Sequence, residues 1–325
     1  MNSIHRRIAV ALAGAALVVL PASQVLAQGW PTKPVTLVNN WPPGGPSDIL
    51  ARSVGAVLQE TFKQPFVVDN RAGAGGNIGA GLVAKAAADG YTLLFGIDTT
   101  FTVNPHLYPS LPFAPGALKP VIIMASSGLL IGVNTSTGIN SFGDLLSRGR
   151  QKTLNFSSGG NGSPGHLAVA ILSSSTPIRI THVPYKGSSQ IVPDLIAGTV
   201  PMSMESSLAT TLPHVRSGKL KAIAVTSARR AKALPEVPTV AESGYAGFEV
   251  ETWFGLIAPA ATPAAIVSRL QGAWAEGSRG ADAQSAFDNI SANLRVTTPA
   301  EFGAFIQAEH RRWGELIRKL GIKAD

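Results

Sequence analysis

The stretch Val35-Thr36-Leu37-Val38-Asn39-Asn40-Trp41-Pro42-Pro43-Gly44-Gly45-Pro46-Ser47-Asp48 decides the fold. Strand-forming residues at 35–38 run into a proline- and glycine-rich loop. A helical pattern follows over 47–62, with Leu50, Val54 and Leu58 at i, i+4 and i+8. Strand, glycine loop and helix together make the βα unit of a parallel sheet. The same order returns at once: Phe66-Val67-Val68 runs into Asp69-Asn70-Arg71-Ala72-Gly73-Ala74-Gly75-Gly76-Asn77-Ile78-Gly79, with a helix expected over 78–87. Glycine lets backbone approach a ligand closely and adopt positive φ. A helix that starts at such a loop turns unpaired N–H groups toward the crevice and favours an anion there.

Outward from this pair the alternation continues. Strands are expected at 91–95, 121–124, 129–133, 154–157, 178–183, 200–204, 220–226 and 249–258. Helices are expected at 141–148, 163–173, 188–197, 262–276, 282–291 and 299–320. This predicts an α/β protein of two lobes, each a mostly parallel sheet flanked by helices. The runs 121–133 and 249–258 are the two interlobe crossings, which divides the chain into 28–127 plus 253–325 for one lobe and 128–252 for the other. Ligands of open α/β sheets bind outside the carboxyl ends of the strands. Two such edges facing each other form a cleft that closes by hinge motion.

That rule selects the candidate ligand-binding residues. Trp41, Pro43, Gly44, Gly45 and Ser47 belong to the first loop, where Ser47 can cap the helix or donate its hydroxyl to a ligand. Asp48, in the first helical turn, suits a structural role. Thr99 and Thr100 follow the strand at 91–95. Gly160, Asn161, Gly162 and Ser163 form the second lobe's counterpart of the first loop, and Glu205 follows 200–204. His166, one turn into the next helix, is expected to be packed and hydrogen-bonded.

The N-terminus sets where this cleft operates. His5-Arg6-Arg7 precedes an apolar run over 8–20, then Pro21 and the small-residue end Val25-Leu26-Ala27. This pattern predicts a secretory signal over 1–27 with cleavage after Ala27. The apolar run is shorter than the ~20 residues a membrane span needs. Without cysteine there is no disulfide, no thiolate metal site and no lipid attachment point. The mature chain is therefore expected to be soluble in the periplasm, as a monomer. Arg6 and Arg7 account for two of the eight net positive charges. The remaining excess helps attract anions but carries no basic run with interleaved aromatics, so no nucleic-acid partner is expected.

Catalytic patterns are missing. There is no HExxH and no GxxxxGK[ST]. A nucleophile elbow around Ser163 fails because Asn161 stands where its first glycine must be. The six histidines show no pair at ligand spacing, so no metal site or cofactor is expected. Gly73, Gly76 and Gly79 fit a loose dinucleotide loop, but the strict GxGxxG fails at Ile78.

The first loop with Ala51-Arg52 resembles the "PPGG…D…AR" segment of the tripartite tricarboxylate transporter substrate-binding proteins, the Bug receptors. Val68 to Gly79 resembles that family's "VENRPGAGGNIG", and Ala88-Asp89-Gly90-Tyr91-Thr92-Leu93 its "PDGYTL". The likeness continues through Ser163-Pro164-Gly165-His166-Leu167, Val183-Pro184-Tyr185-Lys186-Gly187, Leu234-Pro235-Glu236-Val237-Pro238-Thr239-Val240 and Trp253-Phe254-Gly255-Leu256. It implies a non-enzymatic, flytrap-like periplasmic receptor that captures a di-, tri- or aromatic carboxylate and hands it to a membrane transporter of the tripartite type. Loop backbone groups and ordered water would hold the carboxylate. A receptor presenting its ligand to a membrane kinase would share the whole site. Two positions depart from the pattern. Glu205 stands where the family usually has Asp, and could bind water, pair with an ammonium or latch the lobes. Trp41 stands where Phe is commoner, and could stack on a flat ligand or fill the hinge; Trp253 could face either the cleft or the hinge.

Overall fold

The computed structural model describes residues 29–114, 116–205 and 208–323. The expected signal and its cleavage point lie outside them. The chain first winds β1 (Val35–Asn39), α1 (Pro46–Phe62), β2 (Phe66–Asn70), α2 (Asn77–Ala84) and β3 (Thr92–Ile97). Two short helices, α3 (Asp98–Thr102) and α4 (Asn104–Leu107), lead to β4 (Leu118–Gly128). The chain then builds β5 (Leu130–Asn134), α5 (Phe142–Gln151), β6 (Leu154–Ser158), α6 (Pro164–Ser175), β7 (Ile180–Pro184), α7 (Ser188–Ala197), β8 (Met202–Glu205), α8 (Leu208–Arg216) and β9 (Leu220–Val225). It returns through β10 (Glu251–Pro259) and closes with α9 (Ala264–Gly277), α10 (Ala281–Asn289), β11 (Asn293–Leu294) and α11 (Pro299–Leu320).

Two sheets result, ordered β11-β4-β10-β3-β1-β2 and β7-β6-β8-β5-β9. Each carries three parallel strands with the first in the centre: β1 between β2 and β3, and β6 between β7 and β8. The strand arriving from the other lobe then enters antiparallel. β10 runs against β3 and β4, and β5 against β8 and β9. The sheets are therefore mixed: the βα strands run parallel as expected, and the crossing strand β10 or β5 runs against them. A crossing strand enters a sheet against the direction its βα units have set.

Each lobe has its own core. Leu50, Val54 and Leu58 of α1 are fully buried with Leu37 and Phe95, as their spacing requires. Each such side chain contributes roughly 1.5–3 kcal/mol of burial. Phe156, Leu167, Leu172 and Met202 centre the second core. The last helix joins the two: a Thr298–Glu301 capping box starts α11, Phe302 packs with Trp253 and Val38, and Trp313 and Ile317 sit in the second-lobe core.

The crossings are zipped together at Thr226, which is fully buried. Its hydroxyl accepts from Leu129 N–H (2.8 Å) and donates to Val250 O (2.6 Å). Ser126-Ser127-Gly128, expected between two runs, is instead the end of β4. Gly128 is needed there because a Cβ would lie 2.6 Å from Ser227 Oγ. Among the described residues no helix is long and apolar enough to cross a membrane.

Candidate functional site

The first loop is held from beneath by its own strand and helix. Asn39 Nδ2 donates to Trp41 O (3.1 Å), and Asn70 Nδ2 reaches the same carbonyl (3.3 Å). Asp48 accepts from Gly44 N–H (2.9 Å), Asn70 Nδ2 (3.0 Å) and the Arg52 guanidinium (3.0 Å). Burial alone would raise its pKa. The bonds from Arg52, Gly44 and Asn70 outweigh that and hold it below the ordinary carboxylate value. Asp48 is thus a brace for the loop. Ser47 does not cap α1: the N-cap is Gly45, with Pro46 at the first helical position, and Ser47 Oγ donates to Asn39 Oδ1 (2.6 Å). A proline at N1 moves the helix start one residue earlier and turns the serine inward.

The lobes stand closed over a small cavity of about 20 Å³, room for roughly one or two waters. Trp41, Gly45, Pro46 and Ser47 line it from the first loop, and Ile97 from the end of β3. Gly159, Ser163, Pro164, Gly165 and Ser188 line it from the second lobe, and Thr252 and Phe254 from the crossing strand β10. Three helices therefore begin on one cavity: α1 from the first lobe, α6 and α7 from the second. Pro46 and Pro164, at the first positions of α1 and α6, carry no N–H, and His166 N–H goes to the Ser163 hydroxyl; the other N–H groups at these helix starts are the ones an anion would meet. No Lys, Arg, His, Asp or Glu lines the cavity among the described residues. An anion held here is held by backbone dipoles.

The other candidates have separate places. Pro43 and Gly44 are exposed, and a Cβ at Gly44 would lie 4.0 Å from Ser189 Cβ in the second lobe. Thr99 and Thr100 lie in the first turn of α3, because the chain coils at Asp98 directly after β3. Thr100 Oγ1 accepts from Asn40 Nδ2 (3.0 Å) and donates to Gly75 O (3.3 Å), which ties the second glycine loop down. That loop packs on the base of the first: a Cβ at Gly76 would lie 2.5 Å from Asn40 Nδ2, and one at Gly79 2.7 Å from Asn40 Cβ. Its glycines serve close packing. Glu205 ends β8 with its backbone paired to Leu130, and the role expected of its side chain lies outside what is described.

In the second-lobe loop, Gly160 N–H donates to Ser158 Oγ (3.3 Å) and Gly162 N–H to His166 Nδ1 (3.1 Å). Asn161 is half-buried, off the cavity wall. Ser163 caps α6 by accepting from His166 N–H (3.3 Å) and donates to Ser158 Oγ (3.2 Å). Behind it His166 and His182 stack with centroids 4.1 Å apart, and His182 Nε2 meets Ser158 Oγ at 2.6 Å. Burial first, and the neighbouring His166 second, push His182 down to about 4. His106 and His310 form a second close pair, 4.1 Å between centroids. Chain spacing alone hid both pairs. Among the described residues no cluster of three or more metal-ligating side chains forms.

Thr252 and Phe254 were not singled out in the sequence. They face the cavity while Trp253, between them, turns to the opposite side against Phe101 and Phe302. That alternation is the period of a strand, and only its phase was unknown.

A two-lobed α/β binding protein with an anion-favouring interlobe cavity is the class that this fold and site define. A family model described as "Tripartite tricarboxylate transporter family receptor" matches residues 50–322, and the chain belongs to that family. It is similar to the protein BugT of Bordetella pertussis, with 35% identity covering 93% of this chain and 94% of BugT. Among solved structures it is similar to R. palustris Rpa4515 with adipate, with a TM-score of 0.87 and 35% identity, covering 91% of this chain and 100% of that one. It is also similar to MatC of Rhodopseudomonas palustris with bound malate, with a TM-score of 0.79 and 29% identity, covering 89% of this chain and 100% of that one.

Proposed function

We propose that this chain is a periplasmic receptor that captures a small carboxylate between its lobes and delivers it to a membrane transporter of the tripartite tricarboxylate type. The observation that carries this reading is the meeting of three helix N-termini on one cavity whose wall, among the described residues, holds no charged side chain. Such a cradle favours a carboxylate through backbone N–H groups and bridging water. Gly45 and Ser163 stand at the two main helix starts, and Trp41, Ser47 and Ser188 complete the contact surface. The relatives that hold adipate and malate support the ligand class. The leader read over residues 1–27 supports the compartment. No step of bond making or breaking is assigned to the cleft.

The test is a thermal-shift and calorimetric screen of the secreted form, refolded free of bound ligand, against adipate, malate and their amides. A carboxylate at 100 times its dissociation constant adds about 2.7 kcal/mol of stability, a shift of several degrees. An acid that shifts the transition while its amide does not supports the reading. A flat response to both acids and to the wider di- and tricarboxylate series would refute it.

A further inference from the structure

Two polar atoms at the cavity have no partner. Thr252 is fully buried, yet its Oγ1 makes no hydrogen bond, and the indole Nε1 of Trp41 is sealed from solvent and unpaired. Both residues line the interlobe cavity. Two neighbouring hydroxyls are already engaged: Ser47 bonds Asn39, and Ser163 bonds Ser158 and His166 N–H. A buried donor left unpaired opposes the closed state, and such exceptions call for an explanation. We propose that Trp41 Nε1 and Thr252 Oγ1 are the specificity donors of this receptor, and that they bind a second carboxylate of the ligand. The inference rests on the carboxylate reading above and narrows it from acids in general to dicarboxylates.

The geometry fixes the sign of the interaction. An indole N–H only donates, so the ligand must bring an acceptor. The wall offers none with charge among the described residues. The two donors also belong to elements other than the helix starts: Trp41 sits on the loop after β1, and Thr252 on the crossing strand, beside Phe254 on the same face. A ligand whose first carboxylate lies against α1, α6 and α7 therefore presents its other end to different residues. The benzo edge of the Trp41 indole, opposite Nε1, reaches the second lobe, with Cζ3 3.8 Å from a Cβ position at Gly159. At about 20 Å³ the closed cavity is too small for a four- or six-carbon diacid. The ligand enters with the lobes further apart, and both donor residues belong to the wall of the cavity that this enlarges.

The experiment compares matched acids that differ only in the second carboxylate: adipate against hexanoate, and succinate against butyrate. Affinities are measured by calorimetry for the secreted form and for Trp41→Phe, Thr252→Val and Thr252→Ser. Trp41→Phe keeps an aromatic ring but loses the donor and part of the ring area, and the monoacid control separates the two losses. The unsubstituted protein is expected to bind a diacid at least about tenfold more tightly than its monoacid. Trp41→Phe and Thr252→Val each lower diacid affinity about tenfold and leave the monoacid unchanged, while Thr252→Ser retains the affinity. Equal losses for both acids would mean a packing role and overturn the proposal, as would equal wild-type affinity for diacid and monoacid. A wild-type protein that binds neither member of either pair would count against the carboxylate reading itself.

Discussion

Replacing Thr226 with Val tests how the two crossings are held. The substitution keeps shape and volume and removes one hydroxyl. That hydroxyl accepts from Leu129 N–H at 2.8 Å and donates to Val250 O at 2.6 Å, at a residue with no exposure. Both lost partners are backbone groups, one on each crossing, and neither reaches water. A buried group left unsatisfied costs about 1–3 kcal/mol. Because the two share one network, their costs need not add in full. A combined loss of about 2–5 kcal/mol follows, which lowers the melting temperature by roughly 5–10 °C at this size. The backbone pair between the same strands, Thr226 N–H to Leu129 O and Val250 N–H to Thr226 O, remains in place, so the fold survives. The assay is calorimetric melting of wild type, Thr226→Val and Thr226→Ser at neutral pH. Thr226→Ser keeps the hydroxyl and is expected within a few degrees of wild type. A Thr226→Val protein that melts with wild type would refute the argument that this hydroxyl ties the hinge.

Three further outcomes follow from other sites. His182 is neutral in the folded state down to about pH 4, below its ordinary 6.5. Between those values the unfolded chain binds the extra proton, so stability falls as pH drops from 6.5 toward 4 and is flat for this group above 6.5. With partial exposure allowed for, the loss is about 1–2 kcal/mol; melting from pH 7.5 to 4.5 should show a shallower slope for His182→Gln, and equal slopes would exclude His182 as the source. A Cβ at Gly187, where φ is +117°, would lie 2.9 Å from Pro42 Cγ across the closed cleft. Gly187→Ala should therefore weaken carboxylate binding about tenfold or more in calorimetry, and unchanged affinity would show that the lobes need not meet there. Gly165 sits under Met204 O with no space for a Cβ, so Gly165→Ala should destabilise the second lobe by several kcal/mol in urea unfolding.

The last helix was legible from sequence because every local signal agreed. Thr298 and Glu301 form the capping box, Pro299 opens the helix, and Gly321 closes it in the left-handed conformation. The first loop was legible for a similar reason: a strand, a glycine pair and a periodic helix follow one another without conflict. Where signals conflicted, tertiary contacts decided. Asp98-Thr99-Thr100-Phe101-Thr102 is rich in β-branched residues, yet it coils into α3, packed against α11. Helix α8 carries Pro213 and so escaped a periodic reading. The cavity wall was the least legible part. Whether Thr252 or Trp253 faces the cleft is a matter of one residue of phase, and a one-residue slip exchanges the two faces of a strand. The second glycine loop resembles a ligand loop by its glycine spacing alone. Its glycines answer to Asn40, a contact across 36 residues of chain that no local pattern announces.

The arrangement of the helix starts also says how a ligand could close this receptor. A ligand shifts the lobes only by its differential affinity for the closed state. Helix α1 belongs to the first lobe, while α6 and α7 belong to the second. In an open form a carboxylate meets the dipoles of one lobe, and only closure brings all three helix starts onto it. Near the cavity the lobes approach each other at Trp41 and Gly159 and at Pro42 and Gly187. A carboxylate on all three helix starts would add to the difference between open and closed, which suits a receptor whose closed form reports that the site is full. The same design favours release. With no lysine or arginine in the wall among the described residues, opening the lobes strands no buried cation there, and the exposed N–H groups return to water at small cost.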